Sequence, residues 1–306
     1  MKHYTVLKKE SIEGLNLNES SIVVDATLGY GGDSKEILNR IKRGKLFAFD
    51  RDKDAINYSD ALLSEVGDNY TLIHSDFVHM KEKLKELKVD KVDAILFDLG
   101  VSSPQLDENR GFSFMRDEKL DMRMNREEDV TAEDVVNQYS YEELKNIFYK
   151  YGEEKRSPFI AKAIIERRKT KRIETTKELC DAILEGVGAN YYYKTHPERN
   201  IFQAIRICVN QELTDLEAVL PDAISLLNKG GRLCVVTFHS LEDRIVKNIF
   251  KKYSEENELV KGLPEIPEEY KPLCKVITKK PILPSKEELE ENSRSASAKL
   301  RILERL

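Results

Sequence analysis

Short apolar runs rich in β-branched residues alternate with amphipathic segments over the first hundred residues of the chain. Such runs predict strands that are buried on both faces, and the segments between them have the helical spacing of apolar positions. Strands that alternate with helices form a parallel sheet covered by helices, so this region has an α/β pattern. The predicted strands are 22–25, 45–50, 70–77 and 92–98, and the predicted helices include 34–43 and 52–66.

The pattern changes in the middle of the chain. Residues 106–130 have no period but contain too many large apolar side chains for disorder, so we expect an ordered functional loop. Helices follow, with two capping signals: Ser157 before Pro158, and Thr175 three residues before Glu178. These predicted helices are 131–139, 142–151, 157–168 and 176–187.

The α/β pattern then resumes with an amphipathic helix, a strand at 232–238, another helix and two final strands. The sequence therefore predicts an α/β, Rossmann-like fold with a seven-stranded sheet in residues 1–107 and 196–306. An inserted all-helical domain is predicted for residues 108–195.

Composition narrows the class of protein. The 306 residues are 40% hydrophobic and 34% charged, which indicates a globular chain of one large or two modest domains. The net charge of −5 argues against a generally basic nucleic-acid binder but allows a local basic surface. No apolar run approaches the ~20 residues of a membrane span, and the N-terminus lacks a signal-peptide core. The four cysteines are far apart in apolar contexts, so we expect reduced thiols in a cytoplasmic protein, with neither disulfides nor a metal site.

Three glycines lie between the first predicted strand and the first predicted helix. Gly29, Gly31 and Gly32 would allow a sharp turn and bring a ligand close to the free N–H groups of a helix start. Asp50 follows roughly 20 residues later at a strand end, where an acidic side chain typically binds a ribose hydroxyl. The spacing differs from G-x-G-x-x-G and suits a ligand without a pyrophosphate, such as S-adenosylmethionine. A glycine-rich turn without a ligand is the alternative.

Carboxylates also end the third and fourth predicted strands. Strand ends line the ligand crevice of an open α/β sheet, so Asp76 is placed to accept a hydrogen bond from an adenine amine. Phe77 would lie on the face of the same ring, or else pack in the core. Asp98 ends the fourth strand and belongs to the same edge.

One stretch of the predicted helical domain is strongly basic. Residues 155–172 contain eight lysines and arginines against Glu166 alone, a local charge of +7. The stretch is either a solvated helix face or a surface that binds the phosphates of a nucleic acid. The segment 292–299 is also polar and basic enough to contact phosphate.

Ten motifs, spread over nearly the whole chain, carry a family resemblance. They are 25–32, 97–103, 105–107, 110–114, 120–124, 202–207, 209–213, 230–233, 238–246 and 295–301. Together they resemble the ribosomal RNA small subunit methyltransferase H family, which transfers a methyl group from S-adenosylmethionine to the N4 amine of a cytidine in 16S rRNA near the decoding P site. The resemblance implies a class I methyltransferase fold and a small-subunit rRNA or subunit partner. It also implies a cytoplasmic protein, monomeric or homodimeric.

The resemblance also implies which residues bind the methyl donor, and three departures from the family pattern accompany it. Asp33 stands where histidine is usual, which leaves the role of its side chain open. Thr5 stands where proline is usual, and residues 157–161 read Ser-Pro-Phe-Ile-Ala in place of Ser-Arg-Arg-Ile-Ala, which removes two positive charges. The implied donor-binding residues are Gly31, Gly32, Asp33, Asp50, Phe77, Asp98 and Gln105.

The chemistry of an exocyclic amine suggests the catalytic residues. Its lone pair is delocalised into the ring, so the enzyme must hold the amine in line with the methyl group. An acceptor for the amine N–H is expected after the fourth strand. We assign Asp98 to the cofactor or the amine, and Ser102 or Ser103 to the orientation of the base. His239 is a second choice, with a structural histidine as the alternative.

The target base must leave its stack, and the loop 110–124 carries aromatic and cationic side chains that could receive it. Two other functions stay open from the residues alone. One is a nicotinamide-dependent oxidoreductase on a similar sheet, which the glycine spacing disfavours. The other is a non-enzymatic RNA-binding assembly factor, which the glycine turn and Asp50 disfavour.

Overall fold

A computed structural model describes residues 5–101, 109–256, 260, 267 and 270–306. The chain divides into two compact units. The sheet unit consists of residues 1–100 and 213–306, and the helical unit consists of residues 101–212. Among the described residues, every helix is too short or too polar to traverse a lipid bilayer.

The sheet unit is built on one seven-stranded mixed sheet in the order β3-β2-β1-β4-β5-β7-β6. The first five strands run parallel, and β7 pairs antiparallel with both β5 and β6. The predicted Rossmann-like α/β fold with seven strands is therefore confirmed. The strands are β1 Ile22–Asp25, β2 Lys45–Asp50, β3 Tyr70–His74, β4 Val92–Asp98, β5 Leu227–Thr237, β6 Cys274–Val276 and β7 Lys299–Arg305.

Apolar residues on both faces of these strands explain why the sheet is covered by helices on both sides. Successive side chains of a strand point to opposite faces. In β2, Phe47 and Phe49 belong to one buried cluster, whereas Leu46 and Ala48 belong to the other. The helices of this unit are α1 Lys8–Gly14, α2 Gly32–Arg40, α3 Lys53–Ser64, α4 Met80–Glu86, α11 Glu212–Leu226, α12 Ser240–Ser254 and α13 Lys286–Glu291, of which α11 starts one residue before the unit resumes.

The helical unit encloses its own apolar core. The capping box predicted at Thr175 is present, with the Thr175 side chain accepting from the backbone N–H of Glu178. Ser157 is not the N-cap: Arg156 occupies that position, and the carboxylate of Glu154 accepts from its backbone N–H at 2.7 Å. The helices of this unit are α5 Ala132–Gln138, α6 Tyr141–Lys150, α7 Ser157–Thr170, α8 Thr176–Val187, α9 Ala189–Thr195 and α10 Pro197–Val209.

The boundaries of the insertion differ from those expected at 107/108 and 195/196. The structure places them at 100/101 and 212/213. The main cause is α10, which the sequence analysis assigns to the sheet domain. Its apolar face is buried in the core of the helical unit, where Ile201, Phe202 and Ile205 join Phe148 in one cluster.

Candidate active site

The three glycines form the turn between β1 and the first residue of α2. Gly29 and Gly31 have φ angles of +50° and +77°, in the region that L-residues avoid. A Cβ added to Gly31 would lie 3.1 Å from the Ser59 hydroxyl oxygen, and one added to Gly32 would collide with the Thr5 hydroxyl. The backbone conformation and the lack of space both therefore require glycine at this turn.

Asp50, at the end of β2, holds the glycine turn. Its Oδ2 accepts a hydrogen bond from the backbone N–H of Gly29 at 2.8 Å, and its Oδ1 accepts from the N–H of Asp52 at 2.8 Å. On the opposite side of the turn, the Ser59 hydroxyl donates to the carbonyl oxygen of Gly29 at 2.9 Å. Burial raises the pKa of Asp50 to about 6, although the two backbone hydrogen bonds lower it. Each carboxylate oxygen keeps a further lone pair for a ligand hydroxyl.

Asp25, at the end of β1, ties the strand to the following helix. Its Oδ2 accepts from the Ser34 hydroxyl at 2.7 Å, and its Oδ1 accepts from the backbone N–H of Thr27 at 3.1 Å. The residue is 1% exposed, and burial raises its pKa to about 6. Asp25 therefore links the turn to the first residues of α2 through its two hydrogen bonds. The sequence analysis did not assign this role to it.

Two further carboxylates at this edge each have an oxygen without a partner. Oδ1 of Asp33, in the first turn of α2, and Oδ1 of Asp98, at the end of β4, are buried and accept no hydrogen bond from the described residues. Burial, followed by repulsion from Asp98 and Asp25, raises the pKa of Asp33 well above its usual range. Burial, followed by repulsion from Asp25 and Glu242, does the same for Asp98. The site therefore favours a ligand that brings positive charge or hydrogen-bond donors.

Phe77 lies after β3, in a single 3₁₀ turn over residues 77–79. Its ring contacts Phe97 edge to face, with 5.5 Å between centroids, and the guanidinium of Arg51 lies 5.8 Å from the ring centroid. Asp76 accepts from the backbone N–H of Val78 at 3.0 Å and forms an ion pair with Arg51. Each oxygen of Asp76 thus has one partner and keeps a further lone pair, so the expected bond to an adenine amine stays a prediction. Arg51 is the residue that sequence reasoning missed, although it directly follows Asp50.

The remaining predicted site residues have different outcomes. Ser102, Ser103 and Gln105 lie outside the described residues, and their assigned roles stay predictions. His239 is the N-cap of α12: its side chain accepts from the backbone N–H of Glu242 in a capping box. This contact fits the structural role that the sequence analysis named as the alternative, and a contact of His239 with substrate stays a prediction.

Four of the eight cations of the basic stretch 155–172 form ion pairs within the helical unit. The charge of +7 counted along the sequence therefore overstates the positive charge of this surface. Lys155, Arg156 and Lys162 form no ion pair with any described residue. The pairs are Arg167 with Glu185, Lys169 with Glu166, Lys171 with Glu178 and Arg172 with Glu133, while Arg168 donates to the carbonyl oxygen of Val136.

Most large side chains of the loop 110–124 are buried or bonded to other residues of the same loop. Arg110, 4% exposed, donates to the carbonyl oxygens of Arg123 and Met124 at 2.6 and 2.7 Å. Arg123 pairs with Asp121 at 2.8 Å, and Phe112 is 8% exposed. These side chains therefore do not form the exposed surface that was expected to receive a base.

Comparison with known proteins identifies the family. A sequence model of the MraW methylase family matches residues 1–306. Among solved structures, an rRNA methylase from Streptococcus thermophilus is similar at 14% identity and a TM-score of 0.45, over 100% of this chain and 99% of that one. A candidate rRNA methylase from Clostridium thermocellum has 14% identity and a TM-score of 0.45, with 100% of both chains covered. A candidate methyltransferase from Streptococcus mutans, solved in complex with SAH, has 14% identity and a TM-score of 0.44, also with 100% of both chains covered.

The family assignment rests on the match over the whole chain, and this is the family that the ten sequence motifs resemble. The sheet order and the glycine turn at the carboxyl end of β1 provide the fold on which such an activity is built. The chain belongs to the MraW methylase family, and it is a methyltransferase whose methyl donor is S-adenosylmethionine.

Proposed function

We propose that this protein methylates the N4 exocyclic amine of a cytidine in 16S ribosomal RNA, near the decoding P site of the small subunit. The proposal goes beyond the family assignment in naming the nucleic acid, the base and the atom. Its support is the set of long motifs, in family order, that the chain carries between residues 25 and 301. The partner is the small-subunit rRNA or the small subunit itself.

The residues at the carboxyl edge of the sheet fit the donor. Asp50 would hold the ribose hydroxyls with the lone pairs left free by its two backbone hydrogen bonds. Phe77 would contact the adenine ring, and the backbone of Gly31 and Gly32, where a Cβ would meet Ser59 or Thr5, would approach the donor. The unpartnered oxygen of Asp33 would receive its cationic part. Bound there, the donor supplies an electrophilic methyl group.

Asp98 is the residue we assign to the chemistry. An acceptor for an amine N–H favours the pyramidal nitrogen that attacks, and it fixes the direction of attack. Oδ1 of Asp98 is buried and unpartnered among the described residues, and the backbone N–H of Asp98 donates to Thr27 Oγ1 at 2.6 Å. The position of this carboxylate is therefore set by the backbone. Ser102 and Ser103, a few residues further on, would orient the base.

The ordered set of motifs is the single observation that carries the proposal. The unpartnered Asp98 oxygen supports the role of Asp98, because a buried carboxylate without a donor is costly unless a ligand supplies one. The test is to incubate the protein with isotope-labelled S-adenosylmethionine and small subunits that lack the modification, and to map the label by mass spectrometry. We expect one methyl group on N4 of one cytidine of 16S rRNA. A label on a ring carbon, on a ribose or on protein would refute the proposal. Full turnover by Asp98→Asn with normal donor binding would refute the role of Asp98.

A further inference from the structure

The guanidinium of Arg156 contacts two aromatic rings in the helical unit. Cζ of Arg156 lies 4.6 Å from the ring centroid of Tyr191 in α9 and 5.9 Å from that of Phe159 in α7. These two contacts lie within the range of cation–π attraction. Arg156, Phe159 and Tyr191 are called the aromatic platform below.

The buried carboxylate of Glu154 forms hydrogen bonds with two residues of the platform. Oε1 of Glu154, a residue 3% exposed, accepts from the backbone N–H of Arg156 at 2.7 Å and from the hydroxyl of Tyr191 at 2.8 Å. One carboxylate oxygen thus binds the backbone of Arg156 and the hydroxyl of Tyr191. The platform is a built feature of the unit, because its geometry depends on a charged group that is buried and bonded.

The Phe159 ring of the platform is exposed to solvent. Phe159 is 58% exposed, whereas Ile160 and Ala161, the next two residues of α7, are fully buried. Single exposed apolar residues are common on protein surfaces. Here, however, the exposed Phe159 ring lies beside the guanidinium of Arg156, which also contacts the ring of Tyr191. The platform therefore combines an exposed aromatic ring with a positive charge.

The charges around the platform are positive. Between residues 154 and 165 the chain carries Lys155, Arg156 and Lys162 against Glu154 alone, and the Glu154 carboxylate is buried and bonded. Phe159 and Lys162 are spaced by three residues of α7, the spacing at which side chains share one face of a helix, and Lys155 lies in the turn just before the helix. Glu166, four residues beyond Lys162, bonds Lys169 at 2.8 Å.

We infer that the aromatic platform stacks an unpaired base of an RNA strand, with Lys155 and Lys162 on the flanking phosphates. Aromatic rings and arginine planes bind unstacked bases, and lysines beside them bind the backbone. The inference rests on the proposed function, which makes RNA the substrate. It assigns to the platform a role that the sequence analysis had given to the loop 110–124.

The test compares Phe159→Ala with Tyr149→Ala, which removes another exposed aromatic side chain of the same unit, 63% exposed. The probes are a fluorescein-labelled single-stranded RNA of mixed sequence and the blunt duplex of that sequence, read by anisotropy with the full-length protein. We expect Phe159→Ala to weaken single-strand binding about 5- to 100-fold, as for loss of a base–aromatic stack, and to leave duplex binding within about twofold. Lys162→Ala should weaken both and lower the salt slope by about one.

Methyl transfer to small subunits gives the second readout: KM for the subunit should rise in Phe159→Ala with kcat unchanged. Equal single-strand affinity in Phe159→Ala and Tyr149→Ala would overturn the inference and leave the proposed function intact. A change from dimer to monomer in sedimentation, without loss of RNA affinity, would also overturn it, because the platform would then be a contact between copies. Phe159-dependent RNA binding without methyl transfer to rRNA would instead refute the proposed function.

Discussion

The backbone N–H of Gly29 donates a hydrogen bond of 2.8 Å to Oδ2 of Asp50, joining the glycine turn after β1 to the end of β2. This bond makes Asp50 both a support of the turn and, in our proposal, the acceptor for the donor ribose. The two roles can be separated, because a ligand uses lone pairs that the backbone N–H groups leave free.

Asp50→Asn should weaken the binding of S-adenosylmethionine by roughly 10- to 100-fold, since hydrogen bonds to a charged acceptor contribute about 1.5–3 kcal/mol. Titration calorimetry measures the affinity, and thermal unfolding shows whether the fold survives. Asp54→Asn is the matched control, because Asp54 is an exposed aspartate in the first turn of α3. Equal affinities of the two variants would remove Asp50 from the donor site.

Gly31→Ala and Gly230→Ala separate backbone strain from loss of space. Both glycines have positive φ, +77° and +80°, so each alanine should cost about 1–2 kcal/mol of stability. Only at Gly31 would the new Cβ meet other atoms, 3.1 Å from Ser59 Oγ; at Gly230 nothing lies within 4 Å. We therefore expect donor binding to fail in Gly31→Ala alone. Urea unfolding measures the stability of both variants, and calorimetry measures their affinity for the donor. Intact binding in Gly31→Ala would contradict close approach of the donor to this backbone.

Asp25 should make the protein less stable as the pH rises. Burial raises its pKa to about 6, whereas the unfolded chain has the ordinary value of 3.8. Folded protein therefore keeps a proton that unfolded protein releases between about pH 4 and pH 6. The stability contributed below pH 4 is lost as the pH rises through 6, by about 3 kcal/mol for a shift of about two units.

Asp25→Asn removes this titration while keeping a side chain of the same shape. The free energy of unfolding of the variant, minus that of the wild type, should therefore increase between pH 4 and pH 7 and stay constant above. Urea denaturation at several pH values measures both. A difference that does not change with pH would show that Asp25 is ionised in the folded protein across this range.

Asp33 should couple donor binding to proton release. Its pKa and that of Asp98 are both raised, by burial first and then by neighbouring carboxylates, so the pair retains protons above the usual range of aspartate. A cationic ligand favours the ionised form. Affinity for S-adenosylmethionine should therefore increase as the pH rises through the titration of the pair, and calorimetry in buffers of different ionisation enthalpy should detect released protons. Asp33→Asn should flatten this dependence, and an unchanged pH profile in that variant would exclude Asp33.

Asn210 should stabilise the helical unit through the loop 110–124. It is 1% exposed; its Oδ1 accepts from the backbone N–H of Met124, and its Nδ2 donates to the carbonyl oxygen of Met122, each at 2.8 Å. Asn210→Ala would leave these buried backbone groups unpaired and should lower the free energy of unfolding by about 1–3 kcal/mol. Chemical denaturation measures it, with the exposed Asn190→Ala as control. Equal stabilities would show that the loop does not depend on Asn210.

The sheet could be predicted from the sequence because each strand is an apolar run with its own length and period. β2, Lys45–Asp50, agrees with the prediction to the residue. The short helices α1 and α9 were not predicted: each has only seven residues and, unlike α5 of the same length, no side-chain N-cap that would mark its start. The position of α10 was misassigned because an amphipathic pattern shows that a face is buried without showing which core buries it.

The candidate site could be predicted only in part. Asp50 and Phe77 follow strands, and that position alone brings them to one edge of a parallel sheet. The pairing of cations could not be foreseen, since Arg172 meets Glu133, 39 residues away in the chain. That Oδ1 of Asp33 and of Asp98 would lack a hydrogen-bond partner could not be predicted either, because it depends on which residues the fold places around them.

The location of the donor site is the central claim, and a crystal structure of the protein with S-adenosylhomocysteine tests it most directly. The account predicts ribose hydroxyls within hydrogen-bond distance of Asp50, the adenine ring against Phe77, and the amino-acid end of the ligand at Asp33. A ligand bound away from the glycine turn, with Asp50 contacting only the backbone N–H groups of Gly29 and Asp52, would contradict it.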